Sequence, residues 1–161
     1  YLKNEYFKGK YITTEQESFA YDILKKGDDL SKYVLNWVLE NLAPLKSPNL
    51  DNWLVVSYEE SVLEPEKTID LLADNLQLSR KEDMKKRINL PSKSSGLATS
   101  TTKERIKKDK KEYLINKWKD KIDNNQKKKV RNILDKFELD VYTDKSIPTQ
   151  KYLNFIDDEK Y

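Results

Sequence analysis

One six-residue run constrains this chain more than any other: "WLVVSY" at positions 53–58. It is apolar on both faces and β-branched at its centre, the pattern of a strand buried on both sides in a parallel sheet. No second run of this kind is legible in the rest of the sequence. A lone strand makes no sheet, because its backbone N–H and C=O groups need a neighbouring ladder. The expectation is an α/β fold that is mostly helical, with one buried central strand whose partners either are weaker strands in the chain or, in the favoured reading, lie in sequence preceding Tyr1. The chain opens on Tyr rather than Met. It is read as a single domain, residues 1–161, belonging to a longer protein.

The remaining patterns are helical. "YITTEQESFAYDILKKG" carries a capping box at Thr14 and Glu17, an apolar stripe of Phe19, Ile23 and Leu24, and a stop at Gly27. "DDLSKYVLNWVLENL" follows, capped by Asp28 or Asp29, with Leu30, Val34, Trp37, Val38 and Leu42 on its buried side and Pro44 closing it. After the strand, Pro65 opens a helix with acids in its first turn and Ile69, Leu72, Ala73 and Leu76 as its stripe. "SRKEDMKKRI" reads as a short, weaker helix. Residues 89–104, "NLPSKSSGLATSTTKE", are rich in Ser, Thr, Gly and Pro and read as a long loop. "KKEYLINKWKDKI" returns to helix through Tyr113, Leu114, Trp118 and Ile122. Asp123 then caps a helix with Val130, Ile133, Leu134 and Phe137 as its stripe, and "DVYTDKSIPTQKYLNF" is an extended tail.

Composition narrows the chemistry. Charged and hydrophobic residues each make up 37 %, and the aromatic share of 11 % argues against disorder. No apolar run approaches the roughly 20 residues of a membrane span, and no signal-peptide pattern opens the chain. Cysteine is absent, which removes disulfides and thiolate chemistry and fits a reducing, cytoplasmic compartment. Histidine is absent as well, so the commonest general base and metal ligand are missing and no metal site is expected. Net charge is only +3, yet residues 103–131 hold 13 Lys/Arg against 5 Asp/Glu. Such an excess is usually a solvated helix face; it can also meet a polyanion.

The order of elements resembles the carboxyl-terminal half of sulfotransferases that use 3′-phosphoadenosine 5′-phosphosulfate (PAPS). The family has a Tyr-Glu element at the end of a central strand followed by Pro, matched by "SYEESVLEP". It has a Ser-containing loop ahead of a Trp-bearing helix, matched by "PSKSSGLATSTT…LINKWKDKI", and some members finish as "FELDVYTDKSIP" does. The resemblance runs from about Trp53 to Pro148 and implies a P-loop-NTPase-like sheet with a nucleotide at the strand ends. It implies that Tyr58 stacks on the adenine, with Glu59 a structural acceptor. It also implies that Ser92, Lys93, Ser94, Ser95 and the amides around Gly96 hold the 3′-phosphate, with Lys108, Lys110 and Lys111 within possible reach.

The chain also departs from that family. Its loop lacks the Arg-Lys-Gly or Arg-Pro-Ser that many members carry, with Leu90 before Pro91 and Arg87 further upstream. The Gly/Ser/Thr-rich phosphosulfate loop and the early catalytic base have no counterpart, so no catalytic residue is assigned and the segment alone should be inactive. The full protein is expected to transfer a sulfuryl group from PAPS to an unidentified hydroxyl or amine acceptor, leaving adenosine 3′,5′-bisphosphate. The alternative is a non-catalytic helical module that binds a polyanion through residues 103–131. Nucleic acid is disfavoured as that partner, because Tyr113 and Trp118 read as core positions rather than as stacking residues on the basic face.

Overall fold

The computed structural model describes residues 1–47, 53–88 and 111–160. Eight α-helices occur among them: α1 (Glu5–Tyr11), α2 (Thr14–Lys26), α3 (Asp29–Leu45), α4 (Tyr58–Leu63), α5 (Pro65–Leu76), α6 (Lys81–Ile88), α7 (Lys111–Asn116) and α8 (Asn124–Lys136). They form two compact units, one of Tyr1–Trp53 with Ile122–Thr143, the other of Leu54–Lys121 with Asp144–Tyr161.

The expected α/β fold, P-loop-like with a buried central strand, is not what forms: the described residues contain no strand and no sheet. Residues 54–57 leave the helices, and Ser57 is extended (φ −81°, ψ 151°), but among the described residues no ladder flanks them. Leu54, Val55 and Val56 are only half-buried and Trp53 is 55 % exposed. A β-branched run becomes a strand only where another backbone pairs with it. Here the described segments around it are amphipathic helices, so the run serves as an extended lead-in to α4.

In the first unit α3 is the central helix, packed by α1, α2 and α8. Its buried residues are Ser31, Leu35, Val38, Leu39 and Leu42. Three of the expected stripe residues, Leu30, Val34 and Trp37, are only half-buried. The stripe is rotated by about one position because neighbours approach α3 from more than one side. Phe137, with no exposed surface, and Leu139 close the cluster from the end of α8. α1 is absent from the sequence reading; its Phe7 is buried and ring-packed by Tyr1 and Tyr11 at 5.1 and 5.4 Å.

Local chemistry accounts for the helix ends. The capping box of α2 is Thr13 with Gln16, one residue ahead of the expected pair, and Gln16 is buried because Nε2 also donates to Lys136 O at 2.9 Å. Gly27 stops α2 as expected: a Cβ there would lie 2.6 Å from Ile23 O. Pro44 sits inside the last turn of α3 instead of ending it. Asp123 and Gln126 form the capping box of α8. The other end of α8 turns through Glu138 at φ 56°, with Leu139 N donating to Leu134 O at 3.0 Å. Gln77 does the same after α5 at φ 52°. Both are Schellman-type stops at non-glycine residues.

Asp28 has two jobs. Its carboxylate caps α3 by accepting from Ser31 N at 2.9 Å and Ser31 Oγ at 2.7 Å, and it pairs with Lys129 of α8 at 2.5 Å. The Lys129 ammonium, then the Ser31 donors, hold it well below the ordinary value of 3.8. A depressed acid contributes stability above its unfolded pKa and loses it as pH falls toward the folded one. The acid limb of the stability curve, between about pH 5 and pH 2, is expected to be shallower in Asp28→Asn than in the parent. Urea midpoints across that range check it, and parallel curves would refute the assignment. Because the pair is half-exposed, added salt should shrink the difference.

Candidate functional site

The second unit begins where the extended residues 54–57 meet α4. Ser57 caps α4, its Oγ accepting from Glu60 N at 3.0 Å. α4 is broken from α5 at Glu64 (φ −128°, ψ 61°), because Pro65 disfavours helical backbone at the residue before it. Pro65 then starts α5 as expected.

Tyr58, the expected adenine contact, is the first residue of α4 rather than the last of a strand, and its side chain is 57 % exposed. Glu59 is half-buried. The fully buried acid is its neighbour Glu60. One Glu60 oxygen accepts from the backbone N–H groups of Asn154 (2.6 Å) and Phe155 (3.1 Å), and the other accepts from Asn154 Nδ2 at 2.9 Å. The same Nδ2 donates to Val55 O at 2.9 Å, so Asn154 ties the extended lead-in, α4 and the tail together. Around this polar knot Leu63, Ile115, Ile147 and Ile156 form the apolar cluster of the unit.

Ser92, Lys93, Ser94, Ser95 and Gly96, the expected phosphate contacts, lie outside the described residues, as do Lys108 and Lys110. Lys111 donates to Leu63 O at 2.9 Å and so closes the end of α4. On α7 the buried residue is Ile115, whereas Tyr113 is 50 % exposed and Trp118 is half-buried beyond the helix end. Both were expected in the core. The helix stops after Asn116, so the longer apolar periodicity is never realised. Gln150, Phe155, Ile156, Asp157, Asp158 and Glu159 line an open cavity of about 520 Å³. Asp158 there pairs with Lys145 at 3.6 Å. Among the described residues no cluster of three or more acidic, His or Cys side chains could hold a metal, and no helix is long and apolar enough to cross a membrane.

The described residues of the basic stretch divide between the units after Lys121. Within the first unit Lys129 is held by Asp28, and Arg131 donates to Tyr142 O at 2.6 Å and pairs with Asp135 at 2.8 Å. These cations already have acceptors. Glu60 and Asn154 were missed by the sequence reading, although a lone Asn inside "YLNFI" and the second acid of "YEES" are the traces they leave.

Comparison with protein-family models, with curated proteins and with solved structures finds no match to this chain.

Proposed function

We propose that this chain is the carboxyl-terminal part of a PAPS-dependent sulfotransferase, and that Tyr58 is its adenine-contacting residue. The observation that carries the reading is the exposed Tyr58 ring at the head of α4, directly followed by an acid pair and a Pro-led helix. An exposed ring at the start of a helix is suited to stacking on a base, since its face is open. The order of sequence elements supplies the rest of the support. Ser92, Lys93, Ser94, Ser95 and Gly96 are the proposed 3′-phosphate contacts by that same resemblance. The reaction moves a sulfuryl group from PAPS to a hydroxyl or amine acceptor. Its phosphosulfate loop and catalytic base have no counterpart in this sequence, so in this reading the transfer step is carried by residues outside it.

The test is titration of adenosine 3′,5′-bisphosphate into the natural protein that contains this chain. Binding is expected, and Tyr58→Ala should weaken it by about 1–3 kcal/mol, the worth of one base–aromatic stack, while Tyr58→Phe keeps most of it. Unaltered affinity in Tyr58→Ala, or no binding by the parent protein, would overturn the proposal. The polyanion reading draws less support, because Lys129 and Arg131 already carry internal partners. It predicts a steep fall of polyanion affinity with salt.

A further inference from the structure

α6 has an unusual standing in the second unit: none of its residues is buried. Met84 and Ile88 are half-buried, and the rest of the helix is charged. A helix polar on nearly all sides is not held by apolar burial and depends on charge pairs. The described ion pairs that leave α6 all end on α5. Lys81 Nζ lies 3.0 Å from Asp70 Oδ1 and 3.4 Å from Asp74 Oδ1, and Lys85 Nζ lies 2.9 Å from the same Asp70 oxygen. A fourth pair, Arg80 with Asp83 at 2.6 Å, stays local and holds nothing across the hairpin.

Asp70 is thus the hub. Lys85 and then Lys81 hold its carboxyl below the usual carboxylate range, and both lysines are raised in turn. The anchoring is asymmetric. α5 is seated by Pro65, Thr68, Ile69 and Ala73, all buried, whereas its partner buries no residue and is kept there by half-exposed ion pairs beside the partly buried Met84 and Ile88. The pairs are partly open to solvent: the Asp70 side chain is 42 % and the Asp74 side chain 72 % exposed, while the Asp70 Oδ1 that both lysines face is itself buried. Exposed pairs of this kind are weak singly and are screened by salt. The turn between the helices, through Gln77 in the left-handed region and exposed Leu78, adds no apolar anchor.

We propose that α6 is an ionically tethered helix that opens from α5 as a unit of its own, with ionic strength setting its open population and Asp70 as the tether. Local opening of such an element lies at the low end of a protein's stability range and leaves the better-packed helices closed. The device would make the surface that α6 covers on α5, and the direction in which the chain leaves Ile88, responsive to counter-ions. A multivalent anion competing for Lys81 and Lys85 would act in the same direction as salt.

Amide hydrogen exchange on the whole chain tests this. Protection in α6 is expected at about 0.01 M salt and should fall about tenfold by about 1 M, where the screening length drops to about 3 Å. Amides of α5 from Ile69 to Ala73 should be unaffected. Asp70→Asn at low salt should reproduce the high-salt pattern. α5 and α6 losing protection together would overturn the proposal, as would α6 unprotected at low salt or insensitive to salt. A salt response that Asp70→Asn fails to reproduce would overturn the role of Asp70. If Asp70→Asn disrupts the whole unit, the salt series on the parent chain still decides whether α6 opens separately.

Discussion

Glu60→Ala is expected to destabilise the second unit by about 3–5 kcal/mol, among the largest effects of any single change in the chain. Each hydrogen bond to a charged group is worth about 1.5–3 kcal/mol, and removing one partner leaves the others unsatisfied. Glu60 is fully buried and accepts three such bonds, from Asn154 N, Asn154 Nδ2 and Phe155 N. The loss is less than a simple sum, because the tail can shift to let water reach the freed donors. Glu60→Gln keeps one carbonyl oxygen for the two backbone N–H groups and should recover part of the loss. Asn154→Ala leaves the backbone donors paired and should cost less than Glu60→Ala. Urea unfolding followed by amide signals of α4, α7 and residues 147–156 measures the series. A Glu60→Ala chain within about 1 kcal/mol of the parent would show that the carboxylate is dispensable to the knot.

Phe137→Ala should cost the first unit about 3–5 kcal/mol, the range for truncating a buried aromatic. Phe137 has no exposed surface, stands 6.4 Å from the Phe19 ring, and belongs to the cluster with Leu35, Val38, Leu42 and Leu139. It also ends α8, where its N–H donates to Ile133 O and Leu134 O, so a cavity there loosens the Schellman stop at Glu138. Phe137→Leu keeps most of the volume and should lose less. Thermal or urea unfolding read from the amides of α3 and α8 checks it. A loss under about 1 kcal/mol would mean that the site collapses around the smaller side chain.

The two predictions rest on parts of the molecule that the sequence exposes very unequally. Phe137 was legible: Val130, Ile133, Leu134 and Phe137 recur at helical spacing after a clear Asp123 cap, and Ile133, Leu134 and Phe137 are buried. Glu60 was not. An acid next to Tyr58 and Glu59 looks like any solvent-facing start of a helix, and its partners lie 94 and 95 residues away. Nothing local marks a carboxylate that will be buried by a distant tail. The site shows the same division. Tyr58 was read as the end of a strand, whereas it is the exposed first residue of α4.

By itself the sequence determined the segments α2, α3, α5, α6 and α8, since caps such as Asp28 and Asp123 and breaks such as Gly27 and Pro65 act on backbone groups within one turn. It also determined the chemistry that is missing, because no His or Cys exists to supply it. Only the tertiary structure decided which face of α3 is inside. α3 turns Leu35 and Leu39 inward in place of Leu30 and Val34, because contacts from α1, α2 and α8 outweigh a one-position difference in hydrophobic spacing. It alone decided the fate of "WLVVSY" as well. Strand propensity is a preference for a pleated, paired surface, and with no described backbone alongside to pair with, the run stays an extended lead, tied to the tail by the Asn154 amide on Val55 O.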